Sequence, residues 1–274
     1  MNLRRKARYS FFRARLSQLL GRKADARRLC RQALGFCDYT NAYRLLAELD
    51  LPGENYFKVL ARVHAEVRPD TYLEVGVSRG DSLKLAGPET LALGIDPEPR
   101  VGFALGANQQ VFAQTSDEFF ARSDVPALLG GKPLDMAFID GMHHFEYALR
   151  DFVNIEPLCR PDSLIFIHDC FPIDARSAAR EQTTRFWSGD IWRVIVLLKK
   201  YRPDLSIHTI GTPPTGLGLI TRLDPASTLL RSRLPELITE GLALDFAAIA
   251  QRRAEALNLV PYDWPHVRQL LDAG

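Results

Sequence analysis

From Thr71 onward the sequence alternates short β-rich runs with amphipathic or polar stretches, and no other feature limits its fold as strongly. Five runs come first: TYLEVGV, LALGID, QQVFAQ, LDMAFID and SLIFIHD. Two more, LSIHTIG and GLGLITRL, are separated by TPPT, which predicts a hairpin because it cannot form a helix. Strands that alternate with helices form a parallel sheet covered on both faces. We therefore expect an α/β protein whose parallel sheet ends in an antiparallel hairpin.

The segments on either side of this sheet predict helices. Apolar residues at helical spacing indicate helices over residues 9–20, 23–36, 41–47 and 55–67, and the chain is helical again after Asp224. We expect three parts: a basic helical N-terminal extension over 1–54, a domain built on the sheet over 55–223, and a C-terminal helical segment over 224–274.

Composition and cysteine spacing exclude several classes of protein. No apolar stretch approaches the roughly 18 to 20 residues that span a bilayer, and no apolar core with a cleavage site marks a secretion signal. The four cysteines form no C-x-x-C pair, which argues against a disulfide framework or a zinc site. We therefore expect a cytoplasmic protein with reduced thiols and no transmembrane segment.

The first 31 residues form a basic arm. They contain eleven Lys or Arg and one Asp, a net charge of +10, whereas the whole chain carries +2 and the remainder therefore −8. Such an arm could bind nucleic acid or an anionic membrane surface. Apolar residues interleave with the charges at helical spacing and favour packing on a protein surface instead: Phe11, Phe12, Leu16, Leu19 and Leu20. We expect a docking element that supports a homo-oligomer, and nucleic acid is not the expected partner.

The first β-rich run ends in Glu74, Gly76 and Gly80. In an open parallel sheet, ligands bind outside the carboxyl ends of the strands, and the first turn approaches them most closely. A dinucleotide pyrophosphate requires G-x-G-x-x-G, whereas the spacing here is E-x-G-x-x-x-G, which disfavours a dehydrogenase. The glycines permit close approach of the backbone, and the acid suits a ligand with a positive charge.

Polar residues also follow the second and third runs. Asp96 ends the second run, where a carboxylate can accept both hydroxyls of a ribose. Ser116 and Asp117 follow the third run, within reach of an adenine edge. Together with the acid and glycines of the first turn, they predict a site for an adenosyl group with a cationic tail, which is the shape of S-adenosylmethionine.

The chain from about Tyr56 to Leu223, some 60% of its length, resembles the class I S-adenosylmethionine-dependent methyltransferases. More narrowly, it is similar to the macrocin-type sugar O-methyltransferases, methyltransferase domain family 24. The similar stretches are YLEVGVSRGDSL, GIDPEP, FIDGMHHFEYALRDFVNIEPLCRPDSLIFIHDC and GDIWRVIVLLKKYRPDL. The resemblance implies a Rossmann-like sheet of seven strands with a reversed final hairpin. It also implies cofactor contacts at Glu74, Gly76, Gly80, Asp96, Asp117 and Asp140.

Asp140 and Asp169 end the fourth and fifth strands of the implied fold, which are neighbours in the sheet. Two carboxylates that converge in a wet cleft suit Mg²⁺ or another divalent metal. The resemblance likewise implies a metal that holds and acidifies the acceptor hydroxyl. The sequence departs from those relatives at Cys170, where they have a second acid or an amide, because a thiol is a poor magnesium ligand.

Two adjacent histidines supply the candidate base. Methyl transfer to an alcohol requires removal of a proton, for which an imidazole is suited at neutral pH. His143 matches the histidine of the relatives' IDGDHSYE-like motif and is expected to act as the base, whereas His144 is not. His168 is expected to alternate to the other side of its strand and to pack in the core.

The sequence therefore predicts a methyltransferase acting on an oxygen of a small-molecule acceptor, a saccharide or a glycoside. Its expected catalytic residues are Asp140, His143 and Asp169. The alternative is a non-catalytic cofactor- or nucleic-acid-binding protein on the same fold, directed by the basic arm. The loop after the fifth strand, with Trp187 and several arginines, sits where such folds place a substrate loop, and the arginines fit a solvated helix face equally well.

Overall fold

The computed structural model describes residues 2–272, so the first residue of the predicted N-terminal extension and the last two of the C-terminal segment lie outside the described residues. The helices are α1 (Leu3–Leu19), α2 (Lys23–Phe36), α3 (Thr40–Asp50), α4 (Tyr56–Val67), α5 (Ser116–Arg122), α6 (Val125–Leu128), α7 (Phe145–Ile155), α8 (Trp192–Tyr201), α9 (Leu229–Ser232), α10 (Leu234–Ala243), α11 (Ala247–Ala250), α12 (Arg253–Ala256) and α13 (Trp264–Asp272). The strands are β1 (Thr71–Val75), β2 (Leu91–Asp96), β3 (Gln109–Ala113), β4 (Leu134–Ile139), β5 (Cys159–His168), β6 (Ser206–Gly211), β7 (Leu217–Thr221) and β8 (Leu259–Pro261).

The strands form one sheet in the order β3-β2-β1-β4-β5-β7-β6-β8. Strands β1 to β5 are parallel, and β7 is antiparallel to both β5 and β6, so the predicted hairpin around TPPT is confirmed. The expectation of seven strands is wrong by one, because β8 pairs in parallel with β6 at the edge of the sheet. This strand belongs to the C-terminal segment that was expected to be helical.

The sheet is covered on both faces, as the nearly continuous apolar runs predict. Helices α5, α7, α8 and α10 bury the larger cluster on one face, and α4 and α13 bury a second cluster on the other. The connection from β1 to β2 contains a short 3-10 turn, Leu83–Leu85, where a strand-to-helix turn was expected. The first turn is therefore a compact loop.

Helices α1, α2 and α3 bury a separate apolar cluster, which we call the N-terminal bundle. The bundle contacts the loop after β5, since Tyr43 stacks on Phe186 with ring centroids 5.1 Å apart and its hydroxyl donates to Asp174. The proposed division of the chain at residues 54 and 223 remains a prediction. None of the helices within residues 2–272 combines the length and the apolar character needed to cross a membrane.

Candidate active site

A cleft of about 660 Å³ opens at the carboxyl edge of the sheet. Its walls come from the ends of β1, β2 and β4 and from the first turn of α5, which is the edge where ligands of open parallel sheets bind. The structure brings six of the predicted site residues to this cleft: Gly76, Asp96, Ser116, Asp117, Asp140 and His143.

Gly76 sits where β1 meets the end of β4. Its φ of 93° lies in the left-handed region, and a Cβ placed there would come 2.1 Å from the backbone oxygen of Asp140. Any other residue would clash with the backbone at this point. The glycine thus allows the first turn and Asp140 to line one cleft.

Glu74 and Gly80 lie outside the cleft wall. Glu74 is 0% exposed, and its oxygens accept hydrogen bonds of 2.7 Å from Tyr72 and from Ser82, which itself lines the cleft. Burial raises the pKa of Glu74 to about 8, although these two hydrogen bonds lower it. The acid is therefore placed to hold Ser82, and a direct cofactor contact by Glu74 or Gly80 stays a prediction.

Asp96 ties together the two turns that form one wall of the cleft. Its carboxylate oxygens accept from the backbone N–H of Ser78 and of Glu98, each at 2.7 Å. Since these turns follow β1 and β2, the carboxylate is fixed by backbone from both strands. It is partly exposed and faces the cleft with its remaining lone pairs.

A third group of polar side chains lies at the start of α5. Thr115 caps this helix with a reciprocal bond to Glu118, which places Ser116 and Asp117 in its first turn. Asp117 accepts hydrogen bonds from two of the guanidinium nitrogens of Arg150, Nε at 2.9 Å and Nη2 at 2.7 Å. The carboxylate is thereby oriented at the cleft wall.

Asp151 was missed by the sequence interpretation. It projects from α7 to line the same cleft, is 3% exposed, and its Oδ1 has no hydrogen-bond partner. Burial raises the pKa of Asp151 to about 7, which Ser116 opposes. Its place within an amphipathic helix gave it the pattern of an ordinary surface acid, so no local signal identified it.

Asp140 and Asp169 are joined through His168 and Thr215. Nδ1 of His168 lies 3.1 Å from Asp140, and Nε2 lies 3.4 Å from the Thr215 hydroxyl, which donates to Asp169 at 2.5 Å. With the threonine hydrogen directed to Asp169, the threonine oxygen can accept from the histidine, an arrangement that suits a ring with hydrogen on both nitrogens. Burial lowers the pKa of His168, but the two carboxylates outweigh it and raise the pKa to about 9.

His168 is buried, as expected, but its ring contacts Asp140, so the expectation that it alternates to the other side of the strand is wrong. Strand β5 ends at His168, and Asp169 adopts a φ of 61°, in the left-handed region. The chain turns there, so strand alternation no longer separates the two side chains. Cys170 is buried, and its thiol contacts the Ile167 carbonyl at 3.2 Å, away from the pair of aspartates.

His143 lies beside this network. Its Nδ1 is 3.2 Å from Oδ2 of Asp169, its Nε2 is 3.8 Å from Oδ1 of Asp140, and its ring stacks on Trp187. Gly189, at a φ of 62°, passes so close that a Cβ there would lie 1.8 Å from the His143 oxygen. His144 points elsewhere, with Nε2 3.2 Å from the Arg180 carbonyl. Only the first of the two histidines faces the cluster.

The donor set of Asp140, His143 and Asp169 fits a divalent metal. One ligand atom from each lies within 4.8 Å of the others. Two buried atoms of this set, Nδ1 of His143 and Oδ2 of Asp169, lack a hydrogen-bond partner. An imidazole ligand favours a transition-metal ion over Mg²⁺. The positive charge of His168 is a second way to balance the two carboxylates.

Tyr56 completes the rim and was also not singled out from the sequence. It begins α4, lines the cleft, and stacks on His168 with ring centroids 3.9 Å apart. Burial, with Asp140 and Asp169 nearby, raises the pKa of its hydroxyl. A tyrosine at the start of an amphipathic helix has no distinguishing pattern, because its role depends on the distant β5.

Comparison with known proteins supports this architecture. Residues 73–170, which run from β1 to just beyond Asp169, match a family model described as a methyltransferase domain. A search of curated protein sequences found no match.

Solved structures give weaker likenesses. Cofactor-bound Rv0187 from MTB is 17% identical, over 61% of this chain and 79% of that one, with a TM-score of 0.47. The O-methyltransferase TomG from Streptomyces achromogenes, involved in tomaymycin synthesis and solved with SAM, is 18% identical over 62% and 80%, with a TM-score of 0.48. The O-methyltransferase from Bacillus cereus in complex with SAH is 14% identical over 64% and 86%, with a TM-score of 0.42.

At such identities the solved structures assign neither an acceptor nor a residue role to this chain, and the macrocin-type subgroup is not distinguished. The match over residues 73–170 coincides with the strands whose carboxyl ends line the cleft. Residues 73–170 are thus similar to a methyltransferase domain, and they form the central part of the sheet.

Proposed function

We propose that the protein is an S-adenosylmethionine-dependent methyltransferase that methylates an oxygen of a saccharide or glycosylated small molecule. The observation that carries the proposal is the joint lining of one cleft by Gly76, Asp96 and Asp140 within the methyltransferase-domain segment. A nucleotide-binding fold without turnover would not need His143 beside two carboxylates, one of them buried.

The cofactor is proposed to lie along the carboxyl edge from β3 to β4. Asp96 would accept the ribose hydroxyls, and Ser116 and Asp117 would face the adenine edge. Gly76 allows the backbone to approach the methionine portion, and Asp140 attracts its ammonium group. In this arrangement Glu74 acts through Ser82.

His143 is proposed as the general base. Bound S-adenosylmethionine supplies a methyl group on a sulfonium sulfur, which leaves as a neutral thioether when the acceptor oxygen takes the methyl. The oxygen loses its proton to His143, whose ring Asp169 and Trp187 hold in place. Asp169 would then stabilise the imidazolium that forms.

A divalent metal is the second proposed component of the site. Asp140, Asp169 and His143 would hold it, and it would acidify the acceptor hydroxyl. A histidine that ligates a metal cannot at the same nitrogen accept the proton, so metal binding and base catalysis are competing uses of His143.

Support for an aromatic-faced acceptor site comes from the loop after β5. Trp187 is half-buried against His143, with its Nε1 donating to the Ala179 carbonyl at 2.6 Å. Its ring is a flat surface of the kind that packs on a sugar face. Arg180 is bonded to Glu146 and Asp190 and is therefore a structural cation.

A screen with methyl-labelled S-adenosylmethionine against pools of sugars, glycosides and phenols tests the proposal. Label should pass to a sugar or glycoside, and the Asp96→Ala variant should not transfer it. Cofactor binding by calorimetry without label transfer to any pool would favour the non-catalytic alternative. The cytoplasmic location remains a prediction, to be checked by cell fractionation.

A further inference from the structure

Helix α1 presents most of its large apolar side chains away from the protein, whereas Phe11 packs on the N-terminal bundle. Its buried residues are small: Ala7, Ser10 and Ala14. Five large apolar residues of α1 and its C-cap are between 49% and 80% exposed: Tyr9, Phe12, Leu16, Leu19 and Leu20. At 3.6 residues per turn these five lie within an arc of about 100°, opposite the buried face, and extend over about 17 Å. We call them the apolar stripe.

Arginines border the apolar stripe. Arg8 and Arg15 lie along one side and Arg13 along the other, all with exposed side chains. Arg15 is 3.4 Å from Glu48, whereas Arg8 and Arg13 form no salt bridge with any residue between 2 and 272. The stripe is therefore an apolar band within a cationic surface, and both properties belong to one face of one helix.

An exposed apolar band of this length indicates a binding surface. A second copy of this chain is disfavoured, because a two-fold interface would bring the arginines of both copies together. RNA would use the arginines but would leave the leucines without a partner. An anionic bilayer uses both, since its phosphates attract the cations and its acyl chains accept the apolar side chains.

We propose that the apolar stripe docks on the surface of an anionic lipid bilayer, with α1 parallel to the membrane plane. The leucine and aromatic side chains enter the acyl boundary, and the flanking arginines meet the lipid phosphates. The helix already exists in the protein, so docking does not require it to fold on the membrane. The proposal is independent of methyl transfer, because the stripe contributes no residue to the cleft.

Co-sedimentation of the full chain with vesicles tests the docking surface. The protein should bind vesicles of phosphatidylcholine mixed with phosphatidylglycerol and should remain in solution with phosphatidylcholine alone. The double variant Phe12→Ser, Leu19→Ser should lose about tenfold or more in vesicle affinity, because two inserted side chains are removed. Leu242→Ser, which changes a 48% exposed leucine on α10, is the matched control and should bind like the wild type.

A charge variant separates the two parts of the surface. Arg8→Gln, Arg13→Gln should weaken binding to the anionic vesicles and reduce its salt dependence. All of these side chains are exposed, so thermal unfolding should stay at the wild-type midpoint. If Phe12→Ser, Leu19→Ser changes the midpoint of thermal unfolding, the double variant Tyr9→Ser, Leu20→Ser takes its place.

Three results would overturn the proposal. The first is equal binding by the wild type and both apolar double variants. The second is a wild-type dimer in sedimentation velocity that Phe12→Ser, Leu19→Ser converts to a monomer, without vesicle binding, which would assign the stripe to a second copy. The third is salt-sensitive binding to RNA but not to anionic vesicles.

Discussion

Nδ1 of His143 and Oδ2 of Asp169 lie 3.2 Å apart, and both are buried without a hydrogen-bond partner among residues 2–272. Two such atoms face each other at low cost only when a proton or a cation lies between them. Burial raises the pKa of Asp169, although the two histidines oppose this, which is consistent with a shared proton. The following predictions distinguish the possible occupants.

Chelation tests whether a metal ion lies between His143 and Asp169. Exhaustive treatment with EDTA should abolish turnover, and Mn²⁺ should restore it better than Mg²⁺, because one of the three donors is an imidazole. Mn²⁺ binding followed by electron paramagnetic resonance should be lost in Asp169→Asn. Full turnover after chelation would contradict the metal, and the charges of Asp140 and Asp169 would then be balanced by His168 and His143.

The variant His143→Ala tests whether His143 accepts the proton of the acceptor hydroxyl. It should lower the rate of methyl transfer by roughly 10² to 10⁴ with little change in cofactor affinity, because a general base acts mainly in the transition state. His144→Ala is the matched control. It should lower the rate of methyl transfer much less, since that ring contacts a backbone carbonyl. An unchanged rate for His143→Ala from about pH 6 to 9 would refute this assignment.

Asp96→Ala should weaken S-adenosylmethionine binding by about 2 to 4 kcal/mol, because both ribose hydroxyls lose a charged acceptor. Calorimetry measures the affinity, and circular dichroism checks that the two turns held by the carboxylate remain folded. Asp96→Asn keeps an oxygen that can accept from the backbone of those turns, so it should lose less affinity for S-adenosylmethionine. Glu98→Gln, whose side chain is 80% exposed, is the neighbouring control.

Asp151 should make stability depend on pH. Burial raises its pKa from 3.8 to about 7. The contribution of the neutral carboxyl to the free energy of unfolding is therefore fully present below pH 3.8 and is lost as the pH rises through 7. Asp151→Asn cannot ionise. Between pH 4 and 8 its free energy of unfolding should rise, relative to the wild type, by on the order of 2 to 4 kcal/mol. Denaturant titrations across this range measure the difference, and parallel curves for the two proteins would contradict it.

The sequence predicted most of the sheet, because each of the first seven strands has its own local signal. The run LALGID matches β2 residue for residue, and the predicted helix over 23–36 is α2. The eighth strand had no such signal. Leu259 to Pro261 is extended because it pairs with Thr209 to Gly211 on β6, and that partner lies some fifty residues earlier in the chain.

The site was predicted less completely, for reasons of geometry. Asp96, Asp140 and His143 follow or end strands, so their convergence at one edge is readable from the sequence. The side-chain direction of His168 depends on the left-handed turn at Asp169, which strand alternation does not foresee. Glu74 was expected to face the ligand, but Tyr72 and Ser82 satisfy its oxygens first.

Phe186 and Trp187 are consecutive residues with partners in different parts of the molecule. Phe186 stacks on Tyr43 of the N-terminal bundle at 5.1 Å, and Trp187 stacks on His143 at 5.2 Å. Their Cα atoms are separated by about 3.8 Å across one rigid peptide unit. Because the two rings are carried by neighbouring residues, a tilt of α3 that shifts Phe186 would also shift the ring that packs on the imidazole of His143. A partner that moves the N-terminal bundle would therefore change the surroundings of His143, the proposed base.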